Sequence, residues 1–277
     1  MVLDHSISPV IMVRGGGDLA SGVAYRLHRS GFQIVVTELP QPLMVRRSVS
    51  FAQAVYDRTC QVEDVVGKFA SSSGEARQIM NDGIISVLVD PKGVSSHSFR
   101  LSALVDGRMI KAGSDQQMDV APCVIGLGPG FTVGQNCHAI IETKRGPNLG
   151  RVYWQGKAEP NSGLPEPVNG LDRERVLHSP KDGVVSTNVQ IGDLVEPGTL
   201  IASVDGEPVH SRIKGVLRGL IQNGLAVKRG MKIGDVDPRG DVRLCFQVSD
   251  KALAVGGGVL EAILHCLSNR NFSEGKH

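Results

Sequence analysis

Residues 10–20 read "VIMVRGGGDLA", and Glu38 stands 18 residues beyond Ala20, at the end of a second apolar run, "IVVT". Gly15, Gly16, Gly17, Asp18, Leu19 and Ala20 satisfy the G-x-G-x-x-G/A spacing. Glycines at those positions let backbone amides meet a pyrophosphate at a helix N-terminus, while the later acid holds a ribose diol. Asp18 runs against that chemistry, because it adds a full negative charge where the helix end offers roughly half a positive one. Arg14 beside the loop is placed to neutralise it. The competing reading is structural: Asp18 is an N-cap contributing about 1 kcal/mol, and the glycines only turn the chain.

Gly126, Gly128 and Gly130 form a second glycine loop, "GLGPGFTVGQ", after the apolar run "CVI". They free backbone amides where a strand ends, the place at which open α/β sheets bind ligands; a surface hairpin with positive-φ glycines explains the same letters. His138, Glu142, Lys144 and Arg145 flank this loop and are candidate acid/base or anion-holding groups, set against a packed histidine. Arg46 and Arg47 follow Glu38 closely enough to reach the mouth of the same crevice, where guanidinium forks suit phosphate or carboxylate. Their alternative is an exposed helix start, with Ser50 capping "FAQAVY". Asp235, Asp237 and Asp241 surround Arg239 and have the oxygen chemistry of a hard-cation site, but polar turns are the preferred reading and no metal is expected.

These residues need elements to position them. "VIMV" at 10–13 and "IVVT" at 34–37 are buried-strand patterns, and Leu19, Val23 and Leu27 recur every fourth residue between them. That is a β-α-β unit with a right-handed crossover. "ISVLVD", "APCVIGLG" and "HAIIET" supply further strands, with a helix near Glu75. The expected architecture is a Rossmann-like α/β domain over residues 1–165.

From Pro180 the texture changes to short apolar pieces punctuated by glycine. Gly183 and Gly215, Gly192 and Gly224, Gly198 and Gly230, and Asp205 and Asp237 are each 32 residues apart, an internal duplication. Two such halves make a small β-sandwich barrel, and the pattern resembles the biotinyl/lipoyl carrier fold. Carriers of that kind display a modified lysine on the joining hairpin, which here is "DGEPVH" at 205–210 and has none. A binding or docking module over 175–246 is expected, followed by a closing helix over 247–277 that packs back on the first domain. Gly256, Gly257 and Gly258 in it read as close packing rather than an anion pocket.

Composition narrows the function. The chain of 277 residues is 41% hydrophobic with a net charge of +2, enough for one large core or two modest ones. Aromatic content of 4%, without basic blocks, argues against nucleic-acid binding. Five scattered cysteines without a CxxC pair read as reduced thiols, and no basic leader or span-length apolar run is seen, so a cytoplasmic protein without membrane contact is expected.

"VRGGGDLASGVAYRLHRSG", "TELPQPLMVRRSVSFAQAVY", "VIGLGPGFTVGQNCHAIIETKRGPNLGRV", "VLRGLIQNG" and "SDKALAVGGGVLEAIL" together resemble the YqeB family of selenium-dependent molybdenum hydroxylase system proteins. The resemblance implies a bacterial accessory or maturation factor whose partner is a molybdenum hydroxylase client, and whose ligand is a nucleotide or the dinucleotide form of the molybdenum cofactor, molybdopterin dinucleotide. It supplies no catalytic residue. Selenium chemistry would favour a thiol, and Cys137 beside the second loop is the candidate. The alternative function is an NAD(P)-dependent oxidoreductase using the first loop and Glu38, with His138 as proton donor. A homo-oligomer is compatible with all of these features.

Overall fold

In the computed structural model, which describes residues 8–160 and 168–274, β1 (Val10–Arg14) lies at the middle of a nine-stranded sheet. After α1 (Asp18–Arg29) the chain returns as β2 (Gln33–Glu38), parallel to β1 with Val10 opposite Gln33 and Arg14 opposite Thr37. Short 3-10 turns at Arg47–Val49 and Phe51–Gln53 and the single turn α2 (Ala54–Asp57) replace the regular helix expected at "FAQAVY". The hairpin β3 (Thr59–Val62) and β4 (Val65–Ala70), helix α3 (Ser73–Asn81) and β5 (Ile85–Val89) complete one side. Ser72 caps α3 by accepting from Glu75 N, while Glu75 accepts from Ser71 N, a reciprocal pair that fixes the helix start.

The other side of β1 begins with β6 (Leu101–Asp106), parallel to it, a strand the sequence reading did not single out. Then come β7 (Val124–Leu127), β8 (Ala139–Ile141) and the antiparallel edge β9 (Val152–Tyr153). The spatial order is β3-β4-β5-β2-β1-β6-β7-β8-β9, so the winding reverses at β1. Ile11, Met12 and Val13 are fully buried because both sheet faces are covered, which is why the strand reads as an unbroken apolar run.

Neither the β6–β7 nor the β7–β8 connection carries a helix; α4 (Asp250–Glu274) covers that half of the sheet instead. It lies against α1, and its Val255, Val259 and Ile263 are buried in one cluster with Val23 and Leu27. Each such side chain contributes about 1.5–3 kcal/mol of transfer free energy. Glycines make the approach possible: a Cβ on Gly22 would lie 2.5 Å from that of Ala252, one on Gly256 3.1 Å from Gly22 O, and one on Gly258 would collide with Gly150 O. Asp250–Ser268 has the length and mean hydropathy, 1.3, of a membrane span, contrary to the expectation that no segment would. One side of that helix is core.

The second half forms two four-stranded antiparallel sheets. Its strands are β10 (Val176–His178), β11 (Gly183–Thr187), β12 (Leu194–Val195), β13 (Leu200–Val204), β14 (Glu207–His210), β15 (Gly215–Leu220), β16 (Ala226–Val227) and β17 (Lys232–Asp237). The duplication is visible in the pairing. Gly183 sits opposite Val227 and Gly215 opposite Val195, so each half lends its short strand to the other half's sheet. The repeat begins earlier than Pro180: Ser179 Oγ donates to Lys181 O as Ser211 Oγ does to Ile213 O. The hairpin at 205–210 is accordingly a turn at Asp205 and Gly206, both at positive φ, followed by β14.

The two halves of the chain are joined by backbone. Leu220 N donates to Val45 O at 2.8 Å, and Gly219 is backed by Val45 closely enough that a Cβ would lie 2.8 Å from its Cγ1. The expected domain end at 165 falls outside the described residues.

Candidate functional site

Two cavities open along the carboxyl edge of the large sheet. The smaller, about 340 Å³, lies where β1, β2, β5 and β6 end, between Gly15, Gly17, Glu38, Asp90 and Arg108. The larger, about 890 Å³, lies between the ends of β6 and β8, the antiparallel sheets of the second half and the start of α4. Asp18 and Met109 line both, so the cavities adjoin.

In the first loop each glycine does something different. Gly15 has φ of +90°, and a Cβ on Gly16 would lie 2.9 Å from Ala52 N, so both positions require glycine. Gly17 is extended (φ −72°, ψ 179°), and a Cβ there would meet only Met44 Cβ, at 4.0 Å. Its side is the crevice. Gly17 is the N-cap of α1 and no side chain caps the helix, so the first-turn amides stand at the crevice without a side-chain acceptor.

Asp18 therefore occupies the first turn, not the cap. Both of its oxygens accept from Arg46 Nη1, at 3.1 and 3.0 Å, while Arg46 Nη2 donates to Leu244 O and Gln247 O. The neutralising cation is thus Arg46. Arg14 instead donates to Gln116 Oε1 and faces Asp115 at 3.6 Å. Glu38 Oε2 accepts from Gly16 N at 2.6 Å and its Oε1 from Leu39 N at 2.8 Å. One loop amide is thereby held inside the protein, and each carboxylate oxygen keeps a lone pair for a ligand hydroxyl.

Arg47 lines neither cavity. Its Nε donates to Leu220 O and its Nη1 to Gln222 Oε1, so it fastens the antiparallel second half to the large sheet.

The second loop is packed instead of open. A Cβ on Gly126 would fall inside the Phe131 ring, one on Gly130 would collide with Ile110 O, and Gly128 N donates to Ile141 O at 3.1 Å. None of Gly126, Gly128 and Gly130 lines either cavity; Pro129 reaches the larger one. His138 precedes β8 and so stands at the amino edge of the sheet, opposite the crevice; its Nδ1 accepts from Val124 N and burial lowers its pKa. It is half-buried and lines neither cavity. Cys137 is fully buried, and burial pushes its thiol up to about 12, which disfavours the thiolate form that selenium or sulfur chemistry uses.

Beyond β8, Glu142 is fully buried, accepting from Thr143 N, Lys144 N and Glu159 N. It fixes a turn that presents Lys144, paired with Glu159, and Arg145, paired with Asp250, to the larger cavity. Asp235, Asp237 and Asp241 are paired with Arg175, Arg239 and Arg243 respectively, and no metal-ligating cluster occurs among the described residues.

Sequence reasoning missed Asp90, Arg108, Met109 and Lys111. The last three come after β6, whose pattern "LSALVD" ahead of Gly107 was the available signal.

No family model matches the chain. Among solved structures it is similar to an aspartoacylase family protein of Mesorhizobium loti, at 12% identity over 83% of this chain and 85% of that one with a TM-score of 0.28. It is likewise similar to the product-bound ectoine utilization protein EutE (DoeB) of Ruegeria pomeroyi, at 12% identity, the same coverages and a TM-score of 0.25. TM-scores this low leave the fold to be described from the chain's own topology. A homologue is the protein named "Uncharacterized protein YqeB" of Escherichia coli (strain K12), 44% identical over 255 residues, which are 92% of this chain and 47% of that protein. The chain thus spans about half the length of the curated relative it matches.

Proposed function

We propose that this chain is a nucleotide-binding accessory protein of the YqeB family, acting in the maturation of selenium-dependent molybdenum hydroxylases. The observation that carries the binding reading is the crevice at the strand-order reversal. Uncapped amides at the start of α1 face Glu38 across about 340 Å³, the place and size at which open α/β sheets take small ligands. On this reading the first unit is a Rossmann-like domain and the second a lipoyl-like barrel without its lysine arm.

The residues suit a dinucleotide cofactor form. Glu38 offers acceptors to a ribose, the α1 amides suit a pyrophosphate, and Arg46 has already neutralised Asp18. A molybdopterin dinucleotide would supply the metal-binding chemistry, and this chain would hold and orient it. The oxidoreductase alternative has no proton donor at the crevice in His138.

Isothermal titration calorimetry of the full chain against NAD⁺, NADH, CTP and molybdopterin cytosine dinucleotide tests the reading. Binding of one of these, weakened roughly tenfold or more in Gly17→Val, supports it. That substitution adds bulk to the crevice at a position with open space and unstrained φ, so folding survives it. No heat with any of the four, from protein that is folded, contradicts the reading.

A further inference from the structure

The larger cavity carries a charge pattern that the nucleotide crevice does not explain. Nine basic and five acidic side chains line it, an excess of four, whereas the whole chain has a net charge of only +2. Counting buried Asp237 behind the wall still leaves three. Arg46, Arg218 and Arg239 crowd around Asp18 and Asp237 at its barrel side. Burial first, then the neighbouring Arg46 charge, lowers the Arg218 pKa, as expected where guanidinium groups repel one another.

Two further observations point to anion binding. Arg46 is only 8% exposed, and its Nε is enclosed with no hydrogen-bond acceptor. Lys111, on the rim, has no ion pair among the described residues. A concave site with one sign of charge and low-dielectric walls concentrates ions of the other sign.

We propose that this chamber is a polyphosphate-binding site, receiving the anionic end of a two-ended ligand whose nucleoside lies against Glu38. The nucleoside half rests on the crevice reading proposed for the function; the chamber half stands on its own cations. Because Asp18 and Met109 line both cavities, one ligand can pass from the first to the second. Its phosphates would lie between the sheet domain and Arg218, Arg239 and Lys232 of the barrel, so that binding fastens the barrel down.

Inorganic tripolyphosphate is the probe, because it has no nucleoside to occupy the crevice. Calorimetry of the full chain should show binding that falls about fivefold in Lys111→Ala and further in Lys111→Glu. It should weaken with added salt. Lys68→Glu, an exposed charge reversal on β4, should have no comparable effect. A nucleoside triphosphate should bind at least tenfold more tightly than its monophosphate, with that margin lost in Lys111→Glu. Absence of tripolyphosphate binding, or equal loss in Lys68→Glu and Lys111→Glu, overturns the proposal whatever the nucleotides do. Tripolyphosphate binding that depends on Lys111 while all nucleotides fail retains the chamber and removes the crevice reading instead.

Discussion

Two loops of this chain are written in nearly the same letters and do opposite work. Gly15, Gly16 and Gly17 bring a backbone turn to the open end of a 12-residue helix, and the last of them faces a crevice. Gly126, Gly128 and Gly130 admit Phe131, Thr143 and Ile110 to close contact and face none. A glycine-rich stretch states only that a side chain would be in the way. Whether it would obstruct a ligand or the protein itself depends on the next element of the chain: α1 starts two residues after Gly16, whereas no helix comes directly after Gly130.

That difference has consequences for mutation. Gly126→Ala should be the most damaging change, because the new Cβ would occupy the position of the fully buried Phe131 ring; a loss of about 3 kcal/mol is expected, read as a lower urea midpoint. An undisturbed midpoint would dissolve the contrast between the loops. Arg46→Met comes next. It leaves Asp18 without its cation and Gln247 O without its side-chain donor, while Leu244 O keeps Arg218 Nε, and because Asp18 is about one-third exposed the expected loss is about 2 kcal/mol, below that of a fully buried pair.

Cys137→Ser sharpens the comparison from the second loop's side. It should cost about 1 kcal/mol and leave ligand binding unchanged. In the wild-type protein this thiol should resist alkylation at pH 9, since its folded value is raised from 9.0 to about 12. The sign comes from the raised value: the contribution of the protonated thiol is complete below about pH 9 and declines as pH rises toward 12. Rapid alkylation of native Cys137 would restore it as a candidate reactive thiol.

Much of the scaffold was legible because strand and helix periodicity are local. The β1-α1-β2 unit, the closing helix and the 32-residue repeat all came from spacing within one segment. The repeat's start was missed, although "LHS" and "VHS" at 177–179 and 209–211 carry the same offset, because β10 and β14 are edge strands without the glycine punctuation that marked the rest. β6 was missed because no helix announces it. The site was less legible than the fold. Arg46 and Arg47 are adjacent in sequence, yet one lines the larger cavity and the other grips β15 of the second half. Which one does which depends on Leu244, Gln247 and Leu220, some two hundred residues away.

The central claim is that the first glycine loop meets a ligand and the second does not. Amide chemical shifts of the full chain, isotope-labelled and titrated with CTP and then with molybdopterin cytosine dinucleotide, test it residue by residue. Shifts concentrated at Gly17, Asp18, Leu19 and Leu39, with Gly126, Gly128 and Gly130 still, are the expected result. Movement centred on the second loop, or a spectrum that neither ligand changes, would contradict it.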